Sequence, residues 1–247
     1  MAIIVVGGSN RGVGKTALIC GLIAALPEYR WAAVKITTHE HTQPVSPGPA
    51  NSSEGSTSGL PQPLRSPMFR HLFEKKIAET ARAPEPLPRN SVWEDTVPGE
   101  DTETSRYLSA GAARALLVTA ADGDLNGPLN QLWPRFGRGT NLIFESNSVM
   151  HHVCADVCVL IHAVAERALP LPEREPSFLA ALRHADAMVA HARADEVIPD
   201  GLCLALPEPN QEQPTSPKPI FHLRRLERIS PEMLAWLRHH LPQVQHF

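Results

Sequence analysis

The sequence predicts an α/β protein with a doubly wound, mostly parallel sheet. Two observations predict it. Short apolar runs of strand length recur from one end of the chain to the other, separated by stretches with helical periodicity, and a β-α-β alternation of this kind joins its strands in parallel. The alternation also starts sharply: Ile3-Ile4-Val5-Val6 is a β-branched run, Gly7-Gly8-Ser9-Asn10-Arg11-Gly12-Val13-Gly14-Lys15-Thr16 a glycine-rich loop, and Ala17 to Leu26 an apolar helix-forming stretch.

The elements follow in order. The first helix should end near Pro27, and Trp31 to Ile36 reads as a second strand leading into a strand-end loop, Thr37 to Thr42. Gln43 to Pro67 is rich in proline, glycine, serine and asparagine, with almost no large apolar residue, and reads as a flexible insertion. Phe69, Leu72, Phe73 and Ile77 recur at helical spacing and predict an amphipathic helix over Met68 to Ala83, followed by a second proline-rich loop, Pro84 to Gly99. Ser105 to Ala110 predicts a short helix stopped at Gly111.

Ala115 to Thr119 is the third predicted strand, Leu125 to Phe136 a helix, Asn141 to Glu145 a strand, Val157 to Ile161 a strand and Phe178 to Ala185 a helix. Ala187 to Ala190, Leu202 to Leu206 and Ile220 to Leu223 complete the strands, the last at an edge. Pro231 to Leu241, with Ser230 at the cap and proline in the first helical position, predicts the final helix. The 247 residues read as a single domain, residues 1–247, carrying the two proline-rich loops.

Strand, glycine-rich loop and helix in that order are what triphosphate chemistry requires. Backbone N–H groups must converge on the phosphates, a lysine must reach their outer oxygens, and a hydroxyl must ligate Mg²⁺. Ser9, Asn10, Arg11, Gly12, Val13 and Gly14 form the candidate cradle, with Lys15 as the cation and Thr16 as the metal-ligating hydroxyl. The expected fold is therefore that of the phosphate-loop (P-loop) nucleoside triphosphate hydrolases. One departure stands out: the first glycine of G-x-x-x-x-G-K-[ST] falls on Ser9.

Such a site needs an acid at the end of a neighbouring strand. Glu145, after Leu142-Ile143-Phe144, fits as the group that binds a metal-bound water or orients an attacking one; an ordinary solvated glutamate is the alternative, and Asp101 is the second choice of acid. Lys35 lies in an apolar strand and should point past its C-terminal edge toward an anion, a phosphate being the natural one; snorkelling past the sheet edge explains it equally well. Asp101 and Arg106 form a loop ion pair or face a second ligand. After the strand ending at Ala190, Asp195 keeps the carboxylate of a degenerate guanine-reading N-K-x-D, or is a plain turn acid.

Composition sets bounds. A formal net charge of −3 gives no electrostatic argument for duplex nucleic acid or an anionic membrane surface. The apolar start is broken by glycines, Arg11 and Lys15, and lacks the basic region of a signal peptide. With no C-x-x-C pair among Cys20, Cys154, Cys158 and Cys203, free thiols in a reducing cytoplasm are expected. The twelve histidines form no cluster with four-ligand zinc spacing, although His39 and His41 flank Glu40 and His151-His152 precede Cys154.

Four pieces of the chain resemble the molybdopterin-guanine dinucleotide biosynthesis protein B family. They are the loop ending Gly12-Val13-Gly14-Lys15-Thr16, the strand Val34-Lys35-Ile36 before a histidine-containing turn, Asp101-Thr102 through Arg106 to Ala110-Gly111-Ala112, and the strand ending in Glu145. The resemblance covers about half of the chain, with a longer acid-to-arginine spacing here and Ser146-Asn147-Ser148 where the family has glycine. It implies a GTP-binding homodimer with Mg²⁺ and weak hydrolysis that assists molybdenum-cofactor biosynthesis. Two alternatives come from the residues themselves. One is an ATP-dependent small-molecule kinase whose strand-end loops hold an acceptor, and the other a nucleotide switch or metallochaperone that contacts a client enzyme.

Overall fold

The computed structural model describes residues 1–39, 90–121, 124–163, 176–191 and 218–243. Eight strands form one sheet: β1 (Ile3–Gly8), β2 (Ala32–His39), β3 (Ser91–Asp95), β4 (Arg114–Ala121), β5 (Leu142–Glu145), β6 (Val157–Ala163), β7 (Ala187–His191) and β8 (Ile220–Leu223). Their spatial order is β3-β4-β2-β5-β1-β6-β7-β8. Every neighbouring pair is parallel except β3 with β4. The helices are α1 (Lys15–Ala25), α2 (Glu103–Ser109), α3 (Asn126–Leu132), α4 (Pro176–His184) and α5 (Pro231–His240).

Alternation along β1 divides the core. Ile4 and Val6 face a cluster containing Leu18 and Leu22 of α1, Tyr107 of α2, and Met233 and Leu237 of α5. Ile3 and Val5 face the opposite cluster, with Leu129 and Leu132 of α3 and Phe178 and Ala181 of α4. Helices thus cover both faces, as a sheet of parallel strands requires. α1 is apolar nearly all round because β1, β5 and α2 bury it from several sides.

Two expectations are corrected. Residues 91–95 lie within the predicted second proline-rich loop, yet they pair antiparallel with β4, from Ser91↔Thr119 to Asp95↔Ala115. Val92 is buried against the second cluster while Trp93 is half exposed, the alternation of an edge strand. Thr37, Thr38 and His39 extend β2 instead of opening a loop, because each has a partner on β4, from Thr37↔Thr119 to His39↔Ala121. The predicted Met68–Ala83 helix, Leu202–Leu206 strand and Gln43–Pro67 insertion lie outside the described residues.

Among the described residues no helix is long and apolar enough to cross a membrane. Cys20, Cys154 and Cys158 are free thiols. Burial pushes the Cys20 and Cys158 thiols up to about 11, so neither is a ready nucleophile at neutral pH.

Candidate functional site: a phosphate loop backed by a buried carboxylate

The loop between β1 and α1 crosses the C-terminal edge of the sheet, where doubly wound proteins bind ligands. Its turn depends on positive φ at Gly12 (79°) and Gly14 (106°). Gly14 is doubly constrained, since a Cβ there would lie 2.2 Å from Leu226 Cδ1. Ser9 is not among the positive-φ residues, which explains why serine is tolerated where the motif has glycine; it is buried and its N–H donates to the Ile161 carbonyl at 2.9 Å. Asn10 and Arg11 are exposed at the tip, and Val13 is buried beneath it.

Gly14 caps α1 without a side-chain hydrogen bond, and no acidic residue occupies the first turn. The positive end of the helix therefore meets no competing carboxylate from its own first turn. Lys15 Nζ donates to the Asn10 carbonyl at 2.7 Å, across the mouth of the loop.

Beneath the loop, strand register assembles a polar cluster. Val6 of β1, Glu145 of β5 and Lys35 of β2 are lateral partners, so Glu145 and Lys35 emerge side by side on the α1 face. Glu145 is only 4% exposed. Its Oε2 accepts from Thr16 Oγ1 at 2.8 Å and also from the Tyr107 hydroxyl, and its Oε1 accepts from Lys35 Nζ at 3.0 Å. A carboxylate this buried needs such donors to offset its desolvation.

α2 contributes the remaining parts. Glu103 and Tyr107 stand four residues apart on one helical face. Glu103 is half exposed; its Oε2 lies 2.5 Å from Lys35 Nζ and its Oε1 lies 3.4 Å from Thr16 Oγ1, whose one proton goes to the nearer Glu145. The helix is fixed at its start by a capping box between Thr102 and Ser105 and beyond its end by Gly111 at φ 103°. Burial first, and then the Glu145 charge, hold the Tyr107 phenol well above its usual range, so it remains a donor.

Several sequence-predicted roles change. The anions facing Lys35 are the carboxylates of Glu145 and Glu103. Asp101 is exposed, and the second acid beside Thr16, after Glu145, is Glu103, two residues on. Arg106 pairs with Glu100 at 3.5 Å in place of Asp101. Asp195 lies outside the described residues, as do Glu40 and His41. No group of three or more His, Cys, Asp or Glu side chains that could hold a metal occurs among the described residues.

Sequence reasoning missed three contributors. Tyr107 and Glu103 were hidden because only the α2 docking angle shows which face meets Glu145. The Asn147 side chain brackets the Gly8 peptide, accepting from its N–H at 2.7 Å and donating to its carbonyl at 3.0 Å, and so continues the β5 ladder after the strand has ended. A carboxamide two residues beyond a strand-end acid was the available signal.

Fold and loop together define a class, the doubly wound α/β proteins with a phosphate loop on the first strand. Neither a protein-family model nor a curated protein matches the chain. Among solved structures, the "apo" form of LpxK from Aquifex aeolicus in complex with ATP is similar with a TM-score of 0.37 and 16% identity, covering 77% of this chain and 48% of that one. The chain thus spans about half the length of that structure. A likeness this distant carries no weight for the site, and the functional reading rests on the geometry above.

Proposed function

We propose that the chain binds a nucleoside triphosphate together with Mg²⁺ and turns it over slowly when alone. The observation that carries this is the hydrogen bond from Thr16 to Glu145 at the root of the loop. By donating its proton inward, the hydroxyl keeps its lone pairs for a cation on the phosphate side. The residues fit Mg²⁺, which takes one or two protein oxygens and fills its octahedron with phosphate oxygens and waters. Thr16 and the half-exposed Glu103 would hold it, and two carboxylates against the single ammonium of Lys35 leave the cluster with one net negative charge for a cation to offset. When bound, the ion neutralises charge on the β- and γ-phosphates.

Lys15 would leave the Asn10 carbonyl to reach those phosphates, while Gly12 and Gly14 let the backbone approach them. Glu145 acts through Thr16, since both its oxygens already accept from donors. Glu103 is likewise engaged by Lys35. Neither carboxylate is disposed to activate water, which supports a low intrinsic rate.

The finer reading, GTP as the nucleotide and assistance to molybdenum-cofactor biosynthesis as a homodimer, rests on the family resemblance. An ATP-dependent small-molecule kinase is the second reading. It is supported by the same engaged carboxylates, because an acceptor hydroxyl supplied by a second ligand then replaces the poorly activated water. Titration with GTP and ATP, each with Mg²⁺, alongside Asp195→Asn separates the two. A GTP preference lost in the variant supports the guanine reader; an ATP preference with ADP release stimulated by an acceptor supports the kinase and contradicts the GTPase.

A further inference from the structure

Thr16 and Tyr107 come from different helices and donate to the same oxygen, Oε2 of Glu145, while Lys35 holds the other. The Tyr107 ring is fully buried in the layer between the sheet and helices α1 and α2. Filling that space requires only the ring, so a phenylalanine would pack as well. The hydroxyl adds a donor placed on the acceptor that Thr16 also uses, and it stands within hydrogen-bonding reach of the Thr16 hydroxyl itself.

That placement has a geometric consequence. With one donor on Oε1 and two on Oε2, the carboxylate cannot rotate without breaking hydrogen bonds in a buried setting, where unmade bonds are costly. A fixed Oε2 gives the Thr16 hydroxyl proton one direction, and so gives its lone pairs one direction too. Without the phenol, Oε2 is held by Thr16 alone and the Glu145 side chain gains a rotational freedom that the threonine must follow. Tyr107 also stands one helical turn from Glu103, so α2 both fixes Glu145 and brings Glu103 Oε1 to 3.4 Å from the Thr16 hydroxyl.

We propose that Tyr107 is a positioning residue for the cation site: its hydroxyl fixes Glu145 so that Thr16 presents a lone pair to Mg²⁺ beside the bound triphosphate. The inference rests on the nucleotide reading above and assigns Tyr107 to the cation and not to the phosphates. Hydrogen-bond partners standing behind a metal ligand typically govern metal affinity by 10- to 100-fold.

The test compares wild-type protein and Tyr107→Phe in nucleotide binding, with EDTA and across a Mg²⁺ titration, using whichever of ATP and GTP binds more tightly. Thermal melting and circular dichroism verify that the variant is folded. Tyr107→Phe is expected to raise the Mg²⁺ concentration for half-maximal binding by about tenfold, leaving affinity in EDTA within about twofold of wild type. In a Thr16→Ala background the same substitution should have no further effect on the Mg²⁺ requirement, because the group through which it acts is gone. A packing role would weaken binding equally with and without Mg²⁺ and would persist in the Thr16→Ala background; either result overturns the proposal. An unchanged Mg²⁺ requirement in folded Tyr107→Phe overturns it while leaving the nucleotide reading intact, whereas wild-type protein that binds no nucleotide overturns both.

Discussion

The two ends of the sheet use acidic side chains differently. At the N-terminal ends of the strands, Asp156 brackets the Ile3 peptide, its Oδ2 accepting from Ile3 N–H at 2.7 Å while its own N–H donates to the Ile3 carbonyl at 2.9 Å. Asp186 does the same to Cys158, at 2.7 and 2.8 Å. Both aspartates are exposed and keep access to water. At the C-terminal ends, Glu145 is buried and, among the described residues, accepts from side chains of α1, α2 and β2. An acid that ends on backbone N–H groups aligns strands. An acid that ends on a hydroxyl and an ammonium, with a half-exposed second carboxylate at the mouth, is the arrangement on which the proposed cation site rests.

Breaking the upper network should have the largest effect. Glu145→Ala leaves Lys35, Tyr107 and Thr16 without their shared acceptor, and should cost about 3–5 kcal/mol of unfolding free energy, as removal of one partner from a buried ion pair does; urea denaturation measures it. Lys15→Ala should come next, reducing nucleotide affinity by at least about 100-fold, or 2.7 kcal/mol, while the protein stays folded, because the Asn10 carbonyl it bonds lies in the same loop.

At the lower end, Asp156→Ala should cost about 1 kcal/mol of stability, the net worth of a partly hydrated hydrogen bond, and leave nucleotide binding unchanged. A loss of binding in that variant would break the distinction between the two ends.

The smallest effect belongs to the edge. Arg114 meets Glu94 through two hydrogen bonds, at 2.6 and 2.7 Å, and thereby holds the Glu94 carboxyl below the usual carboxylate range. The pair is partly exposed, so its worth is at most about 1 kcal/mol after solvent screening. Because the folded-state value is the lower one, this stabilisation is complete above the unfolded carboxylate range and disappears as pH falls through the folded value. Glu94→Gln should therefore lower stability at pH 7 and match wild type in the most acidic part of a pH-denaturation series.

How much was legible follows from the range of each interaction. The phosphate loop and α1 are contiguous, so Ile3 to Leu26 displayed strand, turn and helix in one window. Glu145 was found because a strand-end acid is a local pattern. Its partners were not, since Lys35 and Glu145 meet only through the β2–β5 register, and Glu103 replaces Asp101 only through the face that α2 presents. β3 escaped because prolines before and after it mask a five-residue alternation that acquires meaning beside β4. The bracket at the lower end did have a signal, the parallel segments Ala155-Asp156-Val157-Cys158-Val159 and Ala185-Asp186-Ala187-Met188-Val189, each starting a strand directly after its aspartate.

The most direct test of the central claim is calorimetric titration of wild-type protein and Lys15→Ala with ATP and GTP in the presence of Mg²⁺. Saturable binding of at least one nucleotide by wild type, lost in folded Lys15→Ala, is the predicted result. Absence of binding to either nucleotide, or binding that survives the substitution undiminished, would contradict it.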